Sequence, residues 1–155
     1  MEGKSAAMIV RNERKFLQNI IKDFKPEHGD FRPVEGMMTT AQQINHIALT
    51  VKWFKEGAFG KGFDLDFEQL ENEVRKPIGF EAALEKLNKT YDEWISLLES
   101  KTAEEMAAPM NDNPIMGPLP RISVITANAE HTAHHRGVLS VYLRLLGITP
   151  VMVYS

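Results

Sequence analysis

Apolar residues recur at intervals of three and four positions along four long stretches of this chain. In the first stretch the spacing is set by Ile9, Phe16, Leu17, Ile20, Ile21 and Phe24. Such spacing gathers apolar side chains on one face, so each stretch is predicted to be an amphipathic α-helix. The predicted helices run from Ser5, placed as a cap, to Phe24; from Thr39 or Thr40 to Glu56; from Phe80 to Ser100; and from Ile122 to Leu146. Gly147 and Pro150 are typical of the end of the last helix.

The second predicted helix carries apolar side chains on two opposite sides. These sides are formed by Ile44, Ala48 and Val51, and by His46, Leu49 and Trp53. Only a narrow polar stripe remains between them, made by Asn45, Lys52 and Glu56. A helix with two apolar sides is expected to be well buried.

The connections between these helices differ in character. Residues 25–36 contain two prolines and two glycines, which predicts a surface loop. Residues 66–76 are predicted to form a short charged helix that ends before Pro77. Residues 107–120 contain four prolines, so this segment is predicted to be a long loop and a candidate lid. No alternating strand pattern is present. The chain is therefore predicted to be all-α, a four-helix bundle in one domain spanning residues 1–155.

Composition narrows the classes of function. The 155 residues are 43% hydrophobic and 25% charged, as in an ordinary soluble globular protein. Eighteen Lys and Arg against 21 Asp and Glu give a net charge of −3, which argues against general nucleic-acid binding. The longest apolar run near the N-terminus, residues 6–10, is too short for a signal peptide or a membrane span. Cysteine is absent, which excludes thiolate metal sites and a cysteine nucleophile. We expect a cytoplasmic protein with no membrane partner.

The histidines carry the clearest chemical signal. His131 and His135 are four residues apart on the last helix, so both rings project from its inward face. His46 lies on an apolar side of the second helix and supplies a third imidazole. Three neutral imidazoles suit Zn, Ni, Fe or Cu and leave coordination positions open, as in catalytic sites. The expected cofactor is one divalent ion of Zn, Ni, Fe or Mn. The alternative is that all three are core histidines hydrogen-bonded to their neighbours.

Other catalytic patterns are missing. The zincin motif H-E-x-x-H fails because Thr132 stands where the glutamate is required. The di-iron pattern Glu-x-x-His fails because Asn128 and Thr132 precede the two histidines by three residues. No P-loop or G-x-S-x-G elbow is present. His28 and His134 are given no ligand role. No catalytic residue is assigned from these patterns.

The segment from Glu130 to Leu139, followed by residues 142–147, resembles the closing helix of DinB-like (DinB/YfiT) proteins. The family pattern there is H-x-x-x-H-R-G-Q, and Val138 departs from it where Gln is frequent. The stretch from Thr40 to Phe54 resembles the second helix of the family. The resemblance covers most of the chain. It implies a four-helix bundle, one divalent metal ion held by His46, His131 and His135, and a homodimer.

Some relatives in this family are thiol-dependent transferases or isomerases that act with bacillithiol, mycothiol or glutathione. We therefore expect a metal-dependent enzyme that acts on a small-molecule substrate and activates a low-molecular-weight thiol. Asn128 and Tyr142, on the same face as the histidine pair, are candidates for supporting the ligands or contacting substrate. Two alternatives remain open. One is a hydrolase in which water bound to the metal is the nucleophile. The other is a non-catalytic, stress-related metal-binding protein.

Overall fold

A computed structural model describes residues 1–154 of the chain, and this part is all-α apart from one isolated bridge between Pro109 and Pro120. The helices are α1 (Gly3–Ile21), α2 (Thr40–Phe59), α3 (Phe67–Arg75), α4 (Phe80–Glu99), α5 (Ala103–Ala107) and α6 (Ser123–Leu145). A short 3-10 turn, Pro26–His28, interrupts the loop after α1. None of these helices combines the length and the apolar character needed to cross a membrane.

The helices α1, α2, α4 and α6 form a four-helix bundle, as predicted. Each of α1 and α2 packs against both α4 and α6, and α3 lies against α2. Helices α1 and α4 run antiparallel, because Arg11 pairs with Glu99 near one end while Gln18 reaches Asn88 further along. The core between the helices is aromatic at its centre, where Trp94 is fully buried.

The first helix begins and ends earlier than predicted. It starts at Gly3, so Ser5 lies inside the helix and does not cap it. The backbone N–H of Gly3 donates to the Lys101 carbonyl oxygen, and a Cβ at Gly3 would lie 1.9 Å from the Leu98 carbonyl oxygen. A glycine is therefore needed where α1 meets the end of α4. The helix stops at Ile21, yet Phe24 beyond it still packs into the core.

The second helix has the predicted start but a different end. Thr39 caps it, since the Thr39 Oγ1 accepts from the Gln42 N–H while the Gln42 side chain accepts from the Thr39 N–H. The predicted stop at Glu56 is wrong, because the helix continues through Gly57 to Phe59. A Cβ at Gly57 would lie 2.3 Å from the Cε1 atom of the Phe63 ring, too close for any side chain at this position. Gly57 therefore serves close packing.

Asn45 also departs from expectation. It was assigned to the solvent-facing stripe of α2, but only 2% of its surface is exposed. Lys52 is exposed as predicted, whereas Glu56 is partly covered. The buried surface of α2 is therefore wider than two apolar stripes.

The remaining boundaries agree with the sequence prediction. Asp66 caps α3 through the Gln69 N–H, and α3 ends before Pro77. Helix α6 ends before Gly147, whose φ of 78° is the left-handed conformation typical of a helix terminus. The proline-rich segment is irregular, and its Met110 is buried in the core, as is Met106 of α5.

Candidate metal centre and adjoining cleft

Three imidazole nitrogens converge between α2 and α6. The Nε2 atom of His131 lies 3.1 Å from Nε2 of His46 and 3.2 Å from Nε2 of His135. The i,i+4 spacing on α6 stacks His131 and His135 on one face, and His46 projects from the facing turn of α2. We call these three residues the histidine cluster. One nitrogen atom from each lies within 4.8 Å of those from the other two, so the cluster could hold a metal ion.

The spacing and chemistry of these donors fit a divalent metal. Two imidazole nitrogens about 2.0–2.1 Å from one ion lie roughly 2.8–3.4 Å apart, from octahedral to tetrahedral coordination. The observed separations of 3.1 and 3.2 Å fall in this range. Three neutral lone pairs directed at one point also repel one another unless a proton or a cation lies between them. The histidine cluster therefore satisfies both the distance and the donor requirements of such a site.

Burial keeps these imidazoles neutral. Desolvation is the main cause that lowers the pKa of His131 to about 4 and that of His135 to about 3. Burial also lowers the pKa of His46, although the negative charge of Glu71 opposes this shift. At neutral pH all three rings are therefore in the unprotonated form that binds metals.

A neighbouring amide, Gln43, orients one ring. Its Oε1 lies 2.7 Å from Nδ1 of His135. With the amide oxygen accepting, Nδ1 of His135 carries the proton and the lone pair of Nε2 faces the other two rings. The Nδ1 atoms of His46 and His131 are buried and have no hydrogen-bond partner within residues 1–154. The sequence reasoning missed Gln43, although its position three residues before His46 places it near the same face of α2.

A cleft opens beside the histidine cluster. Its volume is about 370 Å³, and His46 and His131 form part of its wall. Its apolar lining comes from α2 and α3, namely Leu49, Trp53, Phe54, Phe67, Leu70 and Val74. Thr50 and Glu71 complete the lining. His135 does not line the cleft, and it is only 7% exposed.

The candidate lid does not border this cleft. Among the described residues, none from the proline-rich segment 107–120 lines this cleft. The outer wall is formed instead by α3, the short charged helix between α2 and α4. Helix α3 is held by the Gln42 side chain, which donates to the Arg75 carbonyl oxygen at 2.8 Å, and by Arg75 itself, which donates to the Gly36 carbonyl oxygen.

Comparison with known proteins agrees with this architecture. Residues 9–139 match the family model of the DinB superfamily. The chain belongs to the DinB superfamily. It is 24% identical over 146 residues to the uncharacterized protein YjoA of Bacillus subtilis strain 168, across 93% of this chain and 90% of that protein. The crystal structure of YjoA, a DinB-like protein, superposes with a TM-score of 0.73 and 16% sequence identity over 97% of this chain and 98% of that one.

The two supporting candidates take different positions in this DinB-superfamily bundle. Asn128 is fully buried and donates through Nδ2 to the Glu13 Oε1 at 2.8 Å, away from the imidazoles. The Tyr142 hydroxyl donates to the Met38 carbonyl oxygen at 2.9 Å. Burial raises the pKa of Tyr142, while a hydrogen bond with Gln43 opposes that change. Tyr142 therefore reaches His135 through Gln43, whereas Asn128 supports a separate group.

The two remaining histidines lie outside the cluster. His134 is exposed, and its ring packs edge-on against that of His135 with the centroids 4.9 Å apart. The His28 Nδ1 accepts from the Lys25 N–H in the 3-10 turn. Neither side chain contributes a nitrogen to the convergent set.

A second polar group lies in the core of the DinB-superfamily bundle, one turn along α6. The Glu13 Oε1 accepts from the Tyr91 hydroxyl at 2.6 Å and from Asn128, and the Tyr91 hydroxyl lies 3.4 Å from the Thr132 Oγ1. We call Glu13, Tyr91, Asn128 and Thr132 the carboxyl cluster. Desolvation raises the pKa of Glu13 despite these hydrogen bonds. The sequence reasoning missed it, although Glu13 lies four residues before Leu17 and therefore on the apolar face of α1.

Proposed function

We propose that this protein is a metal-dependent enzyme that binds one divalent ion through His46, His131 and His135 and activates a low-molecular-weight thiol for transfer to a small-molecule acceptor. The single observation that supports this most is the convergence of three Nε2 atoms, 3.1 and 3.2 Å apart, at the wall of a cleft. An open cleft on one side of the ligands suits a catalytic site better than a closed structural one.

The side chains around the cluster prepare it for this role. Burial holds the three rings unprotonated, and Gln43 fixes the orientation of His135. No carboxylate belongs to the convergent set among the described residues, so the ligands leave the full charge of the ion uncompensated. A divalent ion held there supplies a Lewis acid that lowers the pKa of a thiol or of water reaching its open positions.

Two features favour a thiol over water. The chain has no cysteine, so a thiol must come from a small cosubstrate. The carboxylate that lines the cleft, on Glu71, accepts from the Arg75 Nε at 2.7 Å, so it would have to leave this pair to act as a general base for water. In the transfer, sulfur forms a bond to an electrophilic carbon, the leaving group departs with its electron pair, and the thiol proton passes to solvent.

The hydrolase alternative rests on that same residue, because Glu71 lines the cleft beside His46. If it leaves Arg75, it becomes the one carboxylate of the cleft able to accept a proton from water. The non-catalytic alternative rests on the position of the histidine cluster, which bridges α2 and α6. A metal there would stabilise the bundle, and chelation would lower the melting temperature with no turnover to detect.

Metal content is the first test. Tag-free protein, reconstituted with Zn, Ni, Mn or Fe, is expected to retain about one ion per chain by elemental analysis. His46→Ala and His135→Ala are each expected to lose it. The control is His134→Ala, which removes an exposed histidine from the same helix. Stoichiometric metal in a variant that lacks all three cluster histidines would overturn the assignment.

Thiol dependence is the second test. Metal-loaded protein is incubated with 1-chloro-2,4-dinitrobenzene and bacillithiol, mycothiol or glutathione, and with p-nitrophenyl acetate and no thiol. A transferase releases chloride faster than the uncatalysed reaction of thiol with this acceptor, and only when metal and intact ligands are both present. Ester cleavage without thiol, lost in Glu71→Gln, would support the hydrolase instead.

Two further properties are proposed, the first of which follows from the family resemblance alone. We propose that the protein is a homodimer, which light scattering of the purified chain tests directly. A cytoplasmic location is proposed because the chain has no cysteine, and fractionation of the native host tests it.

A further inference from the structure

The cleft beside the histidine cluster has the chemistry of a site for an uncharged aromatic molecule. We infer that it binds an acceptor substrate with one or two aromatic rings, and that the polar part of the thiol binds elsewhere. This inference specifies the acceptor for the transfer proposed above and rests on that function for its catalytic meaning. The binding itself depends only on the walls of the cleft.

The principal wall is a rigid aromatic surface. The Trp53 Nε1 donates to the Asp64 carbonyl oxygen at 2.8 Å, so the polar atom of the indole is already satisfied. The Trp53 ring packs against the Phe63 and Phe54 rings at centroid distances of 4.6 and 5.3 Å. The indole is therefore held in place before any ligand arrives. A ring held this way offers contact area at low entropic cost and favours flat aromatic partners.

The charges around the cleft argue against an anionic ligand. No Lys or Arg side chain lines it among the described residues, and Glu71 is its one carboxylate. Glu71 is paired with Arg75 outside the lining, so a cationic ligand would have to break that pair. Glutathione and related thiols carry carboxylates, which this lining would repel. A neutral ligand avoids both costs.

The size and position of the cleft further narrow the class of ligand that fits it. A volume of about 370 Å³ lies at the lower end of the range for small-molecule sites, which suits one or two rings. The Phe67 ring at the start of α3 lines this cleft while 58% of its surface is exposed, so the cleft has an apolar rim. His46 and His131 form part of the opposite wall. A ligand between these surfaces would present its reactive carbon to the two histidines that face the cleft.

Direct binding of a neutral aromatic probe tests the inference. N-phenyl-1-naphthylamine is titrated into the full-length protein, and its fluorescence is followed with and without bound metal and with added glutathione. We expect saturable binding at one site per chain in both metal states, with no displacement by glutathione. Displacement by glutathione would show that the thiol occupies the cleft and would overturn the inference.

Two variants with the same added charge locate the probe. Leu70→Glu places a carboxylate in the lining, and Gln69→Glu places one on the adjacent exposed position of α3, outside the cleft. We expect the first to weaken probe binding at least about tenfold and the second to leave it unchanged. If Leu70→Glu fails to fold by circular dichroism, Phe67→Asp tests the same wall at an exposed rim position. Undiminished binding in the folded lining variant would overturn the inference.

Metal content measured on the same samples separates the two proposals. Protein that binds about one ion per chain but no probe would refute the aromatic site and leave the metal proposal standing. Protein that binds the probe in the cleft but no metal would refute the proposed enzyme and leave the aromatic site standing.

Discussion

The carboxyl cluster and the histidine cluster lie one turn apart along α6, yet they are built in opposite ways. In the carboxyl cluster the donors and acceptors are complementary, because a carboxylate accepts from a phenol and from an amide drawn from three helices. In the histidine cluster three atoms of the same kind converge, and two of the rings leave Nδ1 without a partner among residues 1–154. The Glu13 Oε2 and the Asn128 Oδ1 are also buried without a partner among residues 1–154. The two clusters therefore differ in chemistry, because donors meet an acceptor in the first, whereas the ring nitrogens that converge in the second could hold a cation.

This difference shows why burial alone does not identify a functional site. The carboxyl cluster is the more deeply buried of the two, since Thr132 and Asn128 are fully inaccessible while His46 and His131 are half-exposed to the cleft. A buried carboxyl that accepts from two donors on other helices stabilises one packing arrangement. Convergent acceptors at a cleft indicate a binding site for a cation. Variants of each cluster should therefore affect different properties.

The largest effect is expected from removing a histidine. His131→Ala should weaken metal binding by at least about a thousandfold, because one of three ligands is lost. The free energy of unfolding of the metal-free protein should fall by about 1 kcal/mol or less, since His131 is half-exposed and its Nδ1 has no partner. Metal titration and urea unfolding measure the two quantities. A variant that still binds one ion tightly would remove His131 from the site.

For the carboxyl cluster we expect a variant to lower the free energy of unfolding and to leave metal binding unchanged. Glu13→Leu removes the acceptor for the Tyr91 hydroxyl and the Asn128 amide, and we expect a loss of about 2–4 kcal/mol in the free energy of unfolding. Metal content should stay at the wild-type level.

The matched control for Glu13→Leu is Glu85→Leu, at an exposed position on α4, which should change stability by less than about 0.5 kcal/mol. If Glu13→Leu released the metal without unfolding the chain, the two clusters would be coupled and the comparison above would be wrong.

Local patterning was sufficient to predict most of the fold and the residues that come together at the site. Four helical stretches, the Thr39 cap and the Gly147 end are confirmed because hydrophobic period and capping chemistry are local properties. The i,i+4 pair on α6 likewise indicated an inward face, and the position of His46 on an apolar side of the second helix made it the third candidate, which the resemblance to DinB-like proteins then supported. Metal binding by these residues stays a prediction.

The features that were missed depend on which helix faces which. Glu13 finds its partners on α4 and α6, at sequence separations of 78 and 115 residues, so nothing in its own helix reveals that the charge is buried. The proline-rich segment is a candidate lid by sequence because long irregular loops are often lids, but it does not line the cleft. The wall is formed instead by α3, a helix of nine residues, which is too short for its apolar pattern to show which way it faces.

A smaller effect is expected at the amide that orients one ligand. Gln43→Leu removes the acceptor for Nδ1 of His135 and should weaken metal binding about 10–100-fold. Gln43→Glu keeps an acceptor at the same place and should bind metal at least as tightly as the wild-type protein. Tyr142→Phe removes a hydroxyl that reaches the histidine cluster only through Gln43, so the loss of metal affinity should be smaller. Isothermal titration with Zn²⁺ or Ni²⁺ ranks the three, and equal affinity in Gln43→Leu and wild type would exclude an orienting role.

The smallest effect is the pH dependence contributed by Glu13. Burial raises its pKa above the ordinary value of 4.5, so the folded state binds this proton more tightly than the unfolded state does. The free energy of unfolding must therefore fall as the pH rises from 4.5 through the raised value. Hydrogen bonds from Tyr91, Thr132 and Asn128, together with the charge of Arg136, oppose the shift and limit its size.

Glu13→Gln keeps an oxygen acceptor but cannot ionise. Urea unfolding from about pH 4 to about pH 8 should show wild type losing stability relative to Glu13→Gln. Parallel curves would mean that Glu13 keeps an ordinary affinity for its proton and that its hydrogen bonds fully offset the cost of burying the charge.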